Sequence, residues 1–266
     1  MKKDTMWKKM TSVLLSALAA GTLAGALTLF PPAALAAPAP QTAAEWWEQG
    51  SLLSLQKDFD GAIAAYDKAI ALQPQYAAAY NNRGNAYMGK GEYEKAIADF
   101  SQAIVLDPQY ADAYYNRANA YSSLKQYEKA ILDYTRTTDL NTMHIDAFFN
   151  RAMVYAQQGK YSRAISDYSR VVGIDDHYVD GYYNRAAVYA KNKEYAKAIA
   201  DYDRVIRLQP QYYRAYFNKA YACELAGEKA EAIAAYELFV SKAPIEPEYE
   251  SQLETARDRI AALKAA

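Results

Sequence analysis

Asparagines spaced by 34 residues are the polar side chains of this sequence best suited to binding. They are Asn82, Asn116, Asn150, Asn184 and Asn218. One carboxamide can donate and accept hydrogen bonds together, so it can pair with a peptide group of another chain. Asparagine also costs a helix interior roughly 0.5 kcal/mol relative to alanine. The recurrence of an unfavourable residue at five positions indicates either a binding role or the duplication of one ancestral segment. Both interpretations stay open.

Aromatic and acidic residues accompany the asparagines. An aromatic residue directly precedes four of them: Tyr115, Phe149, Tyr183 and Phe217. Aspartates lie four residues before three of them: Asp112, Asp146 and Asp180. Aromatic rings can hold side chains while amides hold a backbone, a combination that suits an extended ligand. The aspartates favour a neutral or basic one.

Arginines and aspartates recur together at a spacing of sixteen residues. The pairs are Arg83–Asp99, Arg117–Asp133, Arg151–Asp167 and Arg185–Asp201. Where glutamine or lysine replaces the arginine, at Gln49 and Lys219, alanine replaces the aspartate. Charges that appear and disappear together predict structural ion pairs within each copy, although copying by duplication produces the same pattern.

Residues that could support catalysis are few. His144 and His177 lie in separate predicted turns, and their surroundings lack the ligand spacing of a metal site. Cys223, the only cysteine, takes a place that tyrosine or leucine fills elsewhere, which indicates a core thiol. No glycine-rich phosphate loop or nucleophile elbow is present. The sequence predicts no enzyme, no metal and no cofactor.

All of these positions belong to one period of 34 residues without insertions. The clearest copy, Ala77 to Tyr110, returns at Ala111, Ile145, Val179 and Tyr213, and a divergent copy starts at Ala43. Each copy carries two amphipathic helical patterns, separated by a short break and closed in most copies by proline. A fixed period of this length is typical of a stacked helical array.

The copies resemble tetratricopeptide repeats at three places of the period. A small residue fills the eighth: Gly50, Gly84, Ala118, Ala152, Ala186 and Ala220. Alanine fills the twentieth: Ala62, Ala96, Ala130, Ala164, Ala198 and Ala232. An aromatic ring fills the twenty-fourth: Tyr66, Phe100, Tyr134, Tyr168, Tyr202 and Tyr236. The closing proline is replaced by Thr142 and Asp176 in the third and fourth copies, where we expect looser turns.

This resemblance implies an all-α fold, a right-handed superhelical solenoid of helix–turn–helix repeats. The predicted repeats are 43–76, 77–110, 111–144, 145–178, 179–212 and 213–246. After the repeats, the apolar residues within 247–266 recur at helical spacing and form one stripe. This pattern predicts a C-terminal capping helix over the last repeat.

The resemblance also implies a place for the asparagines. In the tetratricopeptide family the sixth place of the repeat faces a concave groove. In the repeats of the O-linked sugar transferase family, similar asparagines form a ladder that holds a peptide main chain. Family members that clamp a terminal carboxylate use lysine and arginine in the groove. In this sequence the second place of the repeat carries three aspartates, and Arg214 is the exception to them.

The N-terminal residues 1–36 predict a secretory signal, followed by a linker over 37–42. Four lysines precede an apolar run over 11–30, and Ala34–Ala36 offers a cleavage site. The run is about as long as a bilayer-spanning helix, so an uncleaved anchor is the alternative. Both interpretations place the repeats outside the cytoplasmic membrane, in the periplasm or secreted.

The net charge argues against nucleic acid or an anionic membrane surface as a partner. The formal charge is −1, and cleavage would remove four lysines and one aspartate, leaving −4. The sequence therefore predicts a non-catalytic scaffold that binds an extended protein segment in its groove. The alternative is a membrane-anchored assembly factor of an envelope complex that uses its convex surface.

Overall fold

The computed structural model describes residues 40–265, and within them it contains thirteen α-helices and no strand. The predicted signal over 1–36 and residues 37–39 of the linker lie outside the described residues. The helices are α1 (Ala43–Leu55), α2 (Phe59–Leu72), α3 (Ala77–Gly89), α4 (Tyr93–Leu106), α5 (Ala111–Ser123), α6 (Tyr127–Leu140), α7 (Ile145–Gln157), α8 (Tyr161–Ile174), α9 (Val179–Lys191), α10 (Tyr195–Leu208), α11 (Tyr213–Leu225), α12 (Lys229–Lys242) and α13 (Pro247–Ala265).

Each helix packs mainly against its two neighbours in the chain. Odd and even helices from α1 to α12 form consecutive antiparallel pairs, and we call each pair a unit, numbered from one to six. Because contacts stay between neighbouring units, the core is a ribbon that runs through the array. The all-α solenoid and the C-terminal helix are confirmed.

The core is built from the small and aromatic residues of the three repeated places. Alanines of the twentieth place, such as Ala62 and Ala130, are 0% exposed, and rings of the twenty-fourth place, such as Tyr134, are at most 2% exposed. Gly84 lets the Phe100 ring approach so closely that an added Cβ would lie 2.6 Å from the ring. Small residues on the first helix therefore make room for the ring of the second.

A left-handed residue ends the first helix of every unit. The position is occupied alternately by lysine and glycine: Lys57, Gly91, Lys125, Gly159, Lys193 and Gly227, with φ between 57° and 79°. In unit two the Glu92 N–H donates to the Tyr87 carbonyl at 2.9 Å and the Gly91 N–H donates to the Met88 carbonyl at 3.0 Å. This is the Schellman pattern, which satisfies carbonyls at a helix end.

The turns between units do not depend on proline. Asp107 Oδ1 accepts the backbone N–H of Gln109 at 2.9 Å, next to Pro108. Without that proline, Asn141 Oδ1 accepts from Met143 at 3.1 Å and Asp175 Oδ1 accepts from His177 at 2.9 Å. The third and fourth turns thus keep the same hydrogen bond, and the expectation of looser turns is wrong.

Both ends of the array have local stabilisation. Thr42 caps α1, since its hydroxyl accepts from Glu45 N at 3.2 Å while the Glu45 carboxylate accepts from Thr42 N at 3.0 Å. At the other end, α13 covers α12 with Leu253 (3% exposed) and Ala256 (0%). Within residues 40–265, no helix combines the length and the apolar composition that crossing a bilayer requires.

Candidate functional site

The first helix of each unit carries two opposite faces. Because successive residues turn by about 100°, the second, fifth, sixth and ninth places share one side, and the fourth, seventh and eleventh share the other. In α5 these sides hold Tyr115 and Asn116 on the one and Arg117 and Tyr121 on the other. We call them the asparagine face and the arginine face.

The asparagines of the sixth place are linked to the unit before them. Asn116 Nδ2 donates to Asn81 Oδ1 at 3.0 Å, and Asn218 Nδ2 donates to the Tyr183 hydroxyl at 2.8 Å. Asn150 Nδ2 donates to the Tyr115 hydroxyl and to Asn119 Oδ1, both at 3.1 Å. Three of the five asparagines therefore form hydrogen bonds between units through their amide nitrogens.

The fifth place of the preceding unit decides this pattern. Asn81, Tyr115 and Tyr183 each present an oxygen there, and each receives an asparagine of the next unit. Phe149 presents none, and Asn184 Nδ2 instead donates to the Asp180 carbonyl of its own helix at 2.8 Å. One side-chain oxygen thus determines whether the amide bridges two units.

The carbonyl oxygens of these asparagines are left for other donors. Among residues 40–265, Oδ1 accepts no hydrogen bond in Asn116, Asn150, Asn184 and Asn218, and none of these oxygens is a buried unpaired atom. All four side chains are half-buried. The asparagine face therefore offers acceptors at intervals of one unit. Asn82 differs, since its Oδ1 accepts from Asn81 Nδ2 at 3.2 Å.

The aromatic residues of the fifth place are wedged between two other rings. Phe149 lies 5.5 Å from the Tyr168 ring and 5.6 Å from the Tyr178 ring, measured between centroids. Tyr115 and Tyr183 are placed likewise, and Phe217 packs on Tyr236 and Phe239. These half-buried rings stiffen the wall of the face more than they offer free surface.

A further column of the asparagine face escaped the sequence analysis. It occupies the last place of the period: Tyr76, Tyr110, His144, Tyr178 and Tyr212. All except Tyr110 contact the fifth-place ring of their own unit, with Tyr183 and Tyr212 4.9 Å apart between centroids. The repetition of an aromatic residue was visible in the sequence, but its place in a turn concealed that it reaches the face.

Aspartates of the second place lie beside this column. The Tyr212 hydroxyl donates to Asp180 Oδ1 at 3.3 Å, and His144 Nε2 lies 3.9 Å from Asp112 Oδ1. Burial, and secondarily the negative charge of Asp180, raises the pKa of Tyr212 to about 12. The phenol stays a neutral donor, and the edge of the face is acidic. Arg214 ends this edge by pairing with Glu248 at 3.0 Å.

Two cavities lie along the asparagine face in neighbouring units. The first, of about 200 Å³, includes Asn119 and Asn150 in its lining, and the second, of about 190 Å³, includes Asn184. Met153 and Gln157 line both cavities and form the wall between them. Each cavity therefore places a space for a side chain next to an asparagine of the sixth place.

The arginine face is closed by ion pairs. Arg117 Nε and Nη2 donate to Asp133 Oδ2 and Oδ1 at 2.7 and 2.8 Å, and the other three predicted pairs have the same two-pronged geometry within their own units. The remaining nitrogen, Nη1, reaches the preceding unit, where Arg117 donates to Ser101 Oγ at 2.9 Å. This link between units was not predicted from the sequence.

Comparison with known families identifies the fold. Models described as TPR repeat match residues 50–91, 84–125 and 152–193, and models described as tetratricopeptide repeat match 111–141, 179–212 and 213–244. The chain belongs to the tetratricopeptide repeat family. Such proteins are in general non-catalytic scaffolds whose repeats bind protein or peptide partners.

Solved structures agree with that family. The structure titled YrrB, a TPR protein with an unusual peptide-binding site, is 29% identical, covers 65% of this chain and 89% of its own, and superposes with a TM-score of 0.57. MamA is 26% identical, over 62% and 96% of the two chains, with a TM-score of 0.58. The C-terminal part of a TPR repeat-containing protein from Cytophaga hutchinsonii shares the fold at 21% identity, over 82% and 88%, with a TM-score of 0.74. No curated protein matches the chain.

Outside the two faces, one cluster of titratable residues in the described part of the chain brings potential metal ligands together. Ligand atoms of Asp175, Asp176 and His177 lie within 4.8 Å of one another. They are consecutive residues of one turn, and the His177 backbone N–H already occupies the Asp175 oxygen. Cys223 is 2% exposed, and burial raises the pKa of its thiol, as a core residue requires.

Proposed function

We propose that this tetratricopeptide repeat protein is a non-catalytic scaffold that holds an extended segment of a partner protein along its asparagine face. The observation that carries the proposal is the row of unpaired carbonyl oxygens, one per unit from Asn116 to Asn218, beside two side-chain cavities. The likeness to YrrB, a TPR protein described as having an unusual peptide-binding site, supports it.

The binding mode follows from the atoms that the array leaves unpaired. Since one N–H of Asn116 and of Asn218, and both donors of Asn150, are directed at neighbouring units, the oxygens are the groups left for a guest. They would accept backbone N–H groups of an extended chain, whose side chains would enter the cavities. Each such bond contributes about 0.5–1.5 kcal/mol before the cost of ordering the guest, so the affinity is modest.

The charge of the face selects the guest. Asp112, Asp146 and Asp180 are exposed along its edge, and they outnumber the two cations nearby, Arg214, which is paired with Glu248, and Lys191, which lines the second cavity. Like charges facing each other weaken binding, and opposite charges speed association. The partner segment is therefore neutral or basic.

Binding is tested with synthetic peptides of one length in acidic, neutral and basic versions, titrated against the wild type and the double variant Asn116→Ala/Asn150→Ala. Losing two acceptors should weaken binding of the basic peptide by about 5- to 150-fold. Asn192→Ala, in an exposed turn, is the matched control and should bind like the wild type. Equal affinity of the double variant and the wild type would remove the groove from the proposal.

We also propose that the array works outside the cytoplasmic membrane. The lysines before the apolar run over 11–30 and the Ala34–Ala36 cleavage site support it. Mass spectrometry of the protein from the cell envelope decides between the two forms: a first residue of Ala37 indicates cleavage, and an intact N-terminus indicates an anchor. Recovery of the chain in the cytoplasmic fraction alone would contradict both.

A further inference from the structure

The arginine face has a regular construction in units two to five. In each of these units a lysine or arginine of the nineteenth place lies over the tyrosine of the eleventh place, and in units three and five the arginine of the seventh place lies over the same ring. In unit three the Tyr121 ring has Arg117 Cζ at 5.9 Å and Lys129 Nζ at 5.3 Å from its centroid. In unit five the Tyr189 ring has Arg185 Cζ at 5.8 Å and Lys197 Nζ at 5.4 Å. The tyrosine ring and at least one cation therefore fill this side of units two to five.

Unit six changes all of these residues together. Cys223 replaces the tyrosine, Lys219 the arginine, Ala235 the aspartate and Glu231 the cation of the nineteenth place. The aromatic ring, the guanidinium group and the carboxylate are all missing there. Lys219 Nζ turns to Asp203 of the preceding unit at 2.7 Å, so its charge is neutralised.

A cavity opens at this place. It measures about 340 Å³ and lies between α10, α11 and α12, with Lys219, Cys223, Glu231 and Ala235 all in its lining. Its other walls are mostly apolar, with Ile199, Ile206 and Leu238 among them. Cavities that bind small ligands begin at about 300 Å³ and are mostly apolar with a few polar groups.

The charges at the cavity are negative once the Lys219–Asp203 pair is set aside. Glu228 and Glu231 both line it and are exposed, and within residues 40–265 neither has an ion-pair partner. In units two to five the nineteenth place is a cation beside a ring, so the reversal to Glu231 occurs where the ring itself is absent. The cavity is therefore complementary, in volume and in charge, to an aromatic side chain of a partner that is flanked by basic residues.

We propose that this cavity of unit six is a second docking site, which receives one aromatic side chain of a partner protein from a segment with basic flanking residues. The ring takes the volume that tyrosine fills in units two to five and lies near Lys219. The basic flanks pair with Glu228 and Glu231. The site is independent of the proposed groove, because the seventh and eleventh places of α11 lie opposite its asparagine face.

The test uses a fluorescently labelled peptide with a central tyrosine between lysines, titrated against the purified chain by anisotropy. Two further peptides replace the tyrosine by alanine or the lysines by glutamates. The tyrosine–lysine peptide should bind at least tenfold tighter than either. Since Cys223 is the only cysteine, its slow alkylation reports on the site directly and should slow further at saturation.

Two variants of Cys223 either fill the cavity or keep it open. Cys223→Tyr rebuilds the ring of units two to five and should weaken binding at least tenfold, while Cys223→Ser keeps the space and should bind within twofold of wild type. Glu231→Lys should weaken binding and reduce its dependence on salt. Thermal unfolding checks that Cys223→Tyr folds; if it does not, Glu231→Lys with the alkylation assay carries the test.

Separate outcomes distinguish the two sites. Asn116→Ala/Asn150→Ala should leave the protection of Cys223 from alkylation by the tyrosine–lysine peptide unchanged, because Cys223 lines only the second site, whatever happens to peptides bound in the groove. Equal binding of the alanine-centred peptide, or full binding to a folded Cys223→Tyr variant, would overturn the second site. Binding of the glutamate-flanked peptide as tightly as the lysine-flanked one would do the same, because it would remove the role of Glu228 and Glu231.

Discussion

The two faces of the first helices are built from the same repeat but leave different atoms without partners. On the arginine face each guanidinium is held by its own aspartate and by a group of the preceding unit, for example Arg151 by Asp167 and Thr135. On the asparagine face the amide nitrogens are used and the oxygens are left over. A face that satisfies its own groups serves stability, whereas one that leaves acceptors in reach of solvent can serve binding.

Removing an anion from the arginine face should cause the largest loss of stability. Asp133 has a side-chain exposure of 5%, and Asp133→Ala would leave the Arg117 guanidinium, at 19%, without its two-pronged partner. We expect the free energy of unfolding to fall by about 3 kcal/mol. Asn116→Ala on the opposite face should cost only about 1 kcal/mol. Urea denaturation of the two variants measures the difference.

A control separates burial from charge in that comparison. Asp67 also pairs with Arg83, but its side chain is 53% exposed, so Asp67→Ala should lower the free energy of unfolding by less than about 1 kcal/mol. If Asp133→Ala and Asn116→Ala cost the same, the arginine face is not the more structural of the two.

Raising the pH should reduce the stability that the buried tyrosines of the core and of the asparagine face contribute. The stability contributed by the ion pairs of the arginine face should not change. Burial raises the pKa of Tyr212 and Tyr236 to about 12, above the ordinary 10.0, and in Tyr212 the charge of Asp180 adds to it. A phenol that holds its proton more tightly when folded contributes stability that is complete below pH 10 and is lost as the pH rises through 12. Arginine and aspartate stay charged over that range.

The measurement is the thermal unfolding midpoint between about pH 9 and 12, followed together with tyrosinate absorbance. The midpoint should fall across pH 10 to 12, and exposed tyrosines should ionise before unfolding while the interior ones ionise with it. A midpoint that stays constant to pH 12 would show that these phenols titrate no differently in the folded chain.

Substitutions of the left-handed residue between the paired helices should change the free energy of unfolding least. They lie on neither face, so they serve as a reference for the variants above. Lys125 has φ 57°, where a side chain is strained, so Lys125→Gly should raise the free energy of unfolding by up to about 1 kcal/mol. Gly159→Ala, at φ 71°, should lower it by about 1 kcal/mol.

Gly173 is the control for those two variants. It lies within α8, where an added Cβ would meet nothing within 4 Å, so Gly173→Ala should raise the free energy of unfolding by about 0.5–1 kcal/mol. Calorimetry of the three variants checks the signs. A stabilising Gly159→Ala would contradict the left-handed conformation.

Most of the fold was predictable because each copy repeats the same local signals. Helical periodicity, the small eighth residue and the aromatic twenty-fourth residue recur in register, and the helices begin and end where the period places them. The positions of Gly84 and Phe100 came from the period, whereas their direct contact is seen only in the structure. The looser turns were mispredicted because the side-chain hydrogen bond of Asp107 beside Pro108 is kept by Asn141 and Asp175 in the turns that lack proline.

The candidate site was predictable in residue types and not in its hydrogen bonds. The asparagine column and the spacing of Arg117 and Asp133 came from the period. The direction of each amide did not, because it depends on whether the preceding unit offers an oxygen, as Tyr115 does and Phe149 does not. The aromatic column that ends with Tyr212 was missed for a related reason, since only packing brings a turn residue beside the next ring.

The amino-acid sequence by itself determined the helix pairs and the order in which they stack, because these follow from periodicities of a few residues within each copy. Tertiary structure decided which polar atoms are used up, and where the substitutions of unit six leave a cavity rather than a collapsed contact. Those outcomes depend on side chains from different units meeting in space, and a hydrogen bond or a void exists only once both sides of it are placed.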